Sequence, residues 1–239
     1  MGAGHGALQP VSSFSDRTPR GEPFPADEAR LLAPVEPSKI VCVGRNYLAH
    51  ARELGNEPPE YPLLFLKPPS AVVGPGEAIL LPPASERVDY EGEIAVVIGR
   101  ICRDADEAQA RECVLGYTAL NDVTARDLQK KDGQWSRAKG FDTFAPVGPE
   151  IALTPPDFEW AELEVATRLN GELKQSGKAA DMAFSIPFLV SYISRIMTLA
   201  PGDIIATGTP EGVGPLAAGD EVAVEITGLA PLVNRVISR

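Results

Sequence analysis

Histidine and cysteine are scarce in this sequence, two of the first and three of the second in 239 residues. The cysteines, Cys42, Cys102 and Cys113, stand singly in or beside apolar stretches. No CxxC pair occurs, so they read as reduced packing residues of a cytoplasmic protein. Of the histidines, His5 lies in a Gly-, Pro- and Ser-rich start, which leaves His50 as the one candidate for histidine chemistry. No basic block occurs anywhere, and the formal net charge is -11 with a pI near 4.7. That disfavours a nucleic-acid or anionic-membrane partner, so any bound anion must be held by a local cluster or a metal. No run approaches the ~20 apolar residues of a membrane span. The first thirty residues lack the apolar h-region of a signal peptide, and Gly6 stands where a myristoylation motif wants Ser or Thr.

What is present is an ordinary globular composition, 44% hydrophobic and 23% charged. The chain is long enough for one large domain with its own core. Residues 1–37 read as a short, partly disordered N-terminal appendage, and 38–239 as the domain that carries the chemistry. Strands are expected at 40–44, 63–67, 78–82, 88–100, 115–122, 162–175, 203–208, 221–228 and 231–238. Asn170-Gly171, between two alternating runs, is a strong hairpin signal. Helices are fewer, at 104–114, 125–131 and 184–199, the last apolar around much of its circumference and therefore buried. Strands that come in runs, without regular helical alternation, predict an α+β, mostly β architecture, largely antiparallel with a few packed helices.

Three constellations bear on function. In VDYEGEIAVVIGR, Glu91 and Glu93 lie two apart on a strand and so share one face, while Asp122 closes the strand-like run YTALND. Carboxylates converging from two strands would form an all-oxygen site suited to Mg²⁺ or Mn²⁺; a solvated strand end is the alternative. In GRNYLAHARELG, read as a short helix, His50 and Glu53 stand at i and i+3 on one face. A carboxylate bonded to one imidazole nitrogen raises the basicity of the other, which can then take a proton from water, although the same spacing also suits a solvated surface pair. The third comprises Lys139 in WSRAKGFDTFAPVGP and the hydroxyls and backbone N–H groups of ATGTPEGVGPL, loops in which a small anion can be approached closely.

The order RNYxxHxxE, DYEGE, NDVTARDLQ, AKGFDTFAPVGP and TGTPxGVGP, running from about Lys39 to the C-terminus, resembles the fumarylacetoacetate hydrolase family. The likeness is to its small branch of acylpyruvate hydrolases, oxaloacetate decarboxylases and 2-hydroxyhepta-2,4-diene-1,7-dioate isomerases. The resemblance implies a mixed β-sandwich or roll and a homodimer, with an N-terminus shorter than the small β domain many relatives carry. It also implies that Glu91, Glu93 and Asp122 are ligands of Mg²⁺ or Mn²⁺, that His50 and Glu53 form a catalytic dyad on a mobile lid, and that Lys139 holds or polarises substrate. Arg45, Gln129 and Thr209 would meet substrate oxygens; Arg126 is a further candidate that could instead pair with Asp127 or Asp122. The implied activity is metal-dependent C–C bond hydrolysis or decarboxylation of short 2-oxo acids through an enolate, with the diacid isomerase as the alternative.

Overall fold

The computed structural model describes residues 7–8, 18–25, 31–49 and 59–239. Strand Gly92–Ile98 runs through the middle and is buried along its whole length. Its side chains alternate between faces, so Ile94, Val96 and Ile98 enter one hydrophobic cluster and Ala95 and Val97 another. It belongs to a seven-stranded sheet ordered Leu63–Lys67, Ile40–Gly44, Ile204–Ala206, Gly92–Ile98, Val114–Asn121, Ala145–Leu153, Val72–Val73. Pairing is antiparallel except between Ile204–Ala206 and Ile40–Gly44 and between Ala145–Leu153 and Val72–Val73.

A five-stranded sheet, Glu172–Lys178, Glu164–Leu169, Glu221–Ile226, Leu232–Ser238, Ala78–Leu81, faces the first. Val165, Val224, Ile226 and Leu232 from it meet Val41, Ile94 and Val96 from the larger sheet. Helix Ile186–Ser194 closes this core with Leu189, Val190 and Ile193. The result is the mostly β, sandwich-like α+β architecture expected. Val35 packs into the second cluster, so burial begins before Lys39, and residues Ala7–Leu8 pair antiparallel with Phe24–Pro25. No helix among the described residues is long and apolar enough to cross a membrane.

Three local expectations change. The stretch 88–100 is two strands: Val88–Tyr90 pairs with Thr124–Ala125 and Gly214–Pro215 in a small separate sheet, and the chain breaks at Glu91. There the Glu91 N–H donates to the Asn121 side chain (2.9 Å) in place of a ladder partner. Strand Ala145–Leu153 lies where the sequence reads as loop, because Pro146, Gly148 and Pro149 mask it. The register shifts between Gly148 and Ala152, so Pro149 falls where the ladder is interrupted. The last helix stops at Ser194, since Leu199 exchanges backbone hydrogen bonds with Cys102. At the hairpin, Asn170 and Gly171 both have positive φ (52° and 82°), as a two-residue turn of this kind requires.

Candidate active site

Gly92 pairs with Asn121 across the sheet, which sets the next residues out, Glu91 and Asp122, side by side at its end. The Asp122 N–H donates to the Glu91 carbonyl at 2.8 Å. Glu93 projects from the following turn of the pleat, and one oxygen from each of the three carboxylates lies within 4.8 Å of the others. All three side chains are buried, at 5%, 2% and 1% exposure. The TGTP segment fastens along the same strand: Thr207 bonds the Ile94 carbonyl, the Thr209 hydroxyl donates to the Gly92 carbonyl (2.8 Å), and the Gly208 N–H donates to Glu93 Oε2 (2.8 Å). Gly208 has a φ of 101°, and a Cβ there would stand 2.8 Å from that of Asn46. Asn46 donates to the Thr207 and Phe184 carbonyls (2.8 and 3.1 Å) and accepts from the Phe184 N–H (2.9 Å). These bonds pin the turn on which Arg45, itself at a φ of 59°, reaches the site.

Three cations come to the carboxylates from elsewhere in the chain. Lys139, at the end of helix Ser136–Lys139, donates to Glu91 Oε2 (2.8 Å) and Asp122 Oδ2 (2.6 Å). Lys67, buried at the end of Leu63–Lys67, donates to Asp122 Oδ1 (2.6 Å) and the Val123 carbonyl (3.1 Å). Arg126 joins Glu91 (2.5 Å) to Asp89 (2.9 Å) and donates to Gln129 (2.7 Å). Burial works against the Lys139 charge, yet Asp122 and Glu91 outweigh it and push its pKa above the ordinary lysine value. For Glu93, burial first and then Asp122 and Glu91 push the carboxyl well above its usual range, against Lys139 and the Gly208 N–H. Removing one partner of such a buried pair strands the other. Lys67→Met is therefore expected to destabilise the fold by about 3–5 kcal/mol, read from urea unfolding; a cost no larger than that of a surface substitution would show that Asp122 does not depend on it.

The carboxylates floor a cavity of about 70 Å³. Arg45, Gln129, Thr209, Lys139 and Arg126 line it with Val43, Gly44, Phe65 and Trp135. Eight of the ten residues singled out from the sequence, Glu91, Glu93, Asp122, Lys139, Arg45, Gln129, Thr209 and Arg126, thus meet at one place. His50 and Glu53 lie outside the described residues, as does the rest of the expected helix from residue 50 to 55. Arg126 pairs with neither Asp127 nor Asp122. Asp127 turns away to the Ser85 hydroxyl (2.5 Å), while Arg126 reaches Asp89 and Glu91 beside it. Lys67, Phe65 and Trp135 were not anticipated. The signal for Lys67 was a lysine closing the apolar run LLFL, the same kind of signal that marked Asp122.

The trio suits a hard divalent cation. Its donors are all oxygen, and ligands ~2.1 Å from an octahedral Mg²⁺ stand at most ~4.2 Å apart, close to the spread of this cage. Among the described residues Glu93 accepts only the Gly208 hydrogen bond, which leaves its second oxygen available. A sandwich with a buried carboxylate cage opening on a small cavity lined by arginine, lysine, amide and hydroxyl groups has the donor set of a site for a divalent cation.

The chain belongs to the fumarylacetoacetate hydrolase family: the model of the fumarylacetoacetate (FAA) hydrolase C-terminal domain matches residues 39–237. It is 44% identical over 225 residues to oxaloacetate tautomerase YisK of Bacillus subtilis, covering 89% of this chain and 75% of that protein. Among solved structures it is similar to 2-hydroxyhepta-2,4-diene-1,7-dioate isomerase from Mycobacterium marinum, at 46% identity and a TM-score of 0.88, covering 98% of this chain and 88% of the other. It is also similar to fumarylacetoacetate hydrolase from Exiguobacterium antarcticum, at 42% identity and a TM-score of 0.82, covering 91% and 82%. Tautomerase, isomerase and hydrolase are all enzymes, and this chain is a member of their family.

Proposed function

We propose that this protein catalyses enolate-forming reactions of short 2-oxo acids, with Mg²⁺ or Mn²⁺ held by Glu91, Glu93 and Asp122. The observation that carries the reading is the convergence of three buried carboxylates beside Lys139 on the floor of a small cavity with Arg45, Gln129 and Thr209 on its walls. A divalent cation bound there would supply Lewis-acid stabilisation of negative charge on the substrate's carboxylate and 2-oxo oxygens. Lys139 would donate a hydrogen bond to oxygen as that charge develops, from a position already fixed by its carboxylate partners. Arg45 and Gln129 would hold the far carboxylate or carbonyl, and Thr209 would orient the near end. His50, supported by Glu53, would move the proton at C3. Return of the proton to carbon, there or further along a conjugated chain, gives a tautomer or an isomer. Proton shifts of this kind are what the names of the Bacillus subtilis and Mycobacterium marinum relatives describe.

Cleavage of the C3–C4 bond is the second reading, as hydrolysis of an acylpyruvate or decarboxylation of oxaloacetate. The His50–Glu53 spacing, which suits activation of a water, and the name of the Exiguobacterium neighbour favour it. A panel of oxaloacetate, acetylpyruvate, fumarylpyruvate and a hydroxyheptadienedioate, each with Mg²⁺ and Mn²⁺, separates the two through loss of enol or diene absorbance and analysis of products. Enol absorbance should decay faster than in buffer with metal and stop on chelation. No acceleration of any member with either metal would overturn the proposal. As a homodimer, the protein should scatter light as twice the 25.4 kDa of one chain.

A further inference from the structure

The cavity has one apolar side, Val43, Gly44, Phe65 and Trp135, and the half-buried Trp135 is its largest member. The indole lies against Gly44, where a Cβ would stand only 2.9 Å from Trp135 Cζ3. Gly44 has no left-handed φ, so its missing side chain is explained by room for the ring. Trp135 also meets Phe65 edge-on, with centroids 5.1 Å apart at 70°, and Phe65 in turn lies 4.9 Å from Lys139 Nζ. The Trp135 carbonyl accepts from the Lys139 N–H at 2.9 Å, which ties the indole's backbone to the residue at the centre of the charge cluster. Swinging the ring away would give up both the Gly44 and Phe65 contacts, so this wall does not yield readily. An acid whose head sits at the carboxylate floor and whose chain follows the apolar side meets the indole, which lines the same cavity.

We infer that Trp135 is a specificity-determining residue that limits the length of acid the site accepts, favouring shorter 2-oxo diacids over longer ones. The inference rests on the proposed 2-oxo acid reading and narrows it to the short end of the family's range. The test is calorimetric binding to the Mg²⁺-loaded protein of oxalate, which carries only the head group, and of 2-oxoglutarate, 2-oxoadipate and 2-oxopimelate. Wild-type protein should bind 2-oxopimelate at least about tenfold more weakly than 2-oxoglutarate, the scale on which a pocket discriminates added methylenes. Trp135→Ala should recover about tenfold for 2-oxopimelate while oxalate affinity stays within about twofold, and Trp135→Phe, which keeps a ring against Gly44 and Phe65, should fall between. Equal wild-type affinity along the series would overturn the inference, as would a Trp135→Ala loss of the same factor for every ligand. Failure of oxalate and of every 2-oxo diacid to bind the wild-type protein would instead overturn the 2-oxo acid reading, and the length rule with it.

Discussion

Glu93→Gln is expected to abolish turnover of every member of the 2-oxo acid panel that the wild-type protein turns over, and to weaken Mg²⁺ or Mn²⁺ binding by more than the roughly 10–100-fold typical of losing an outer partner of a metal site. The metal-free protein should unfold at the same temperature or higher. Glu93 is the cleanest of the three carboxylates to test because it holds no buried cation: its hydrogen bond among the described residues comes from the Gly208 N–H, and a glutamine oxygen can accept that bond equally well. Its charge is opposed by burial and by Asp122 and Glu91, so neutralising it relieves repulsion in the absence of metal. Glu91→Ala would be harder to interpret, since Arg126 and Lys139 both lean on Glu91 and would be left as buried charges. Calorimetric titration of metal and thermal unfolding with and without metal read the two effects separately. Unchanged metal affinity in a folded Glu93→Gln protein would remove the carboxylate cage from the metal assignment.

For His50→Ala, hydrolysis of an acylpyruvate is expected to fall by roughly 10²–10⁴, the range for losing an acid–base group. Hydrolysis needs a base to draw a proton from water. Decarboxylation of oxaloacetate needs chiefly a sink for the electrons left at C3, which a cation held by the carboxylates would supply. The variant should therefore retain more decarboxylation than hydrolysis, whereas Glu93→Gln removes both. Equal losses on both substrates would assign His50 to placing the substrate, and an undiminished rate would take it out of the chemistry.

Much of the site was legible from residue types and short spacings. Glu91 and Glu93 are two apart ahead of an apolar run, Asp122 ends another, and Lys139 and Thr209 sit in loop motifs, whereas Arg45 and Gln129 came only through the resemblance to the family. These signals are local, and the periods of strand and helix translate them directly into shared faces. The strand Ala145–Leu153 was hidden for an equally local reason: prolines and a glycine erase the alternation, and only the neighbouring strand shows where the interruption in pairing falls.

By itself the sequence determined the donor chemistry: three carboxylates, one lysine and a set of amide and hydroxyl groups, in the order of one enzyme family. The tertiary structure decided how those charges are tolerated and which side chains stand beside them. Lys67, Lys139 and Arg126 meet their carboxylates across 55, 48 and 35 residues of chain, separations with no periodicity to read. The contact between Trp135 and Gly44 likewise joins distant segments, and a glycine in sequence does not reveal which ring will lie on it. Buried charge is stable only where its counter-charge is also buried, and cavity size depends on which side chains close over the site; both are properties of packing in three dimensions.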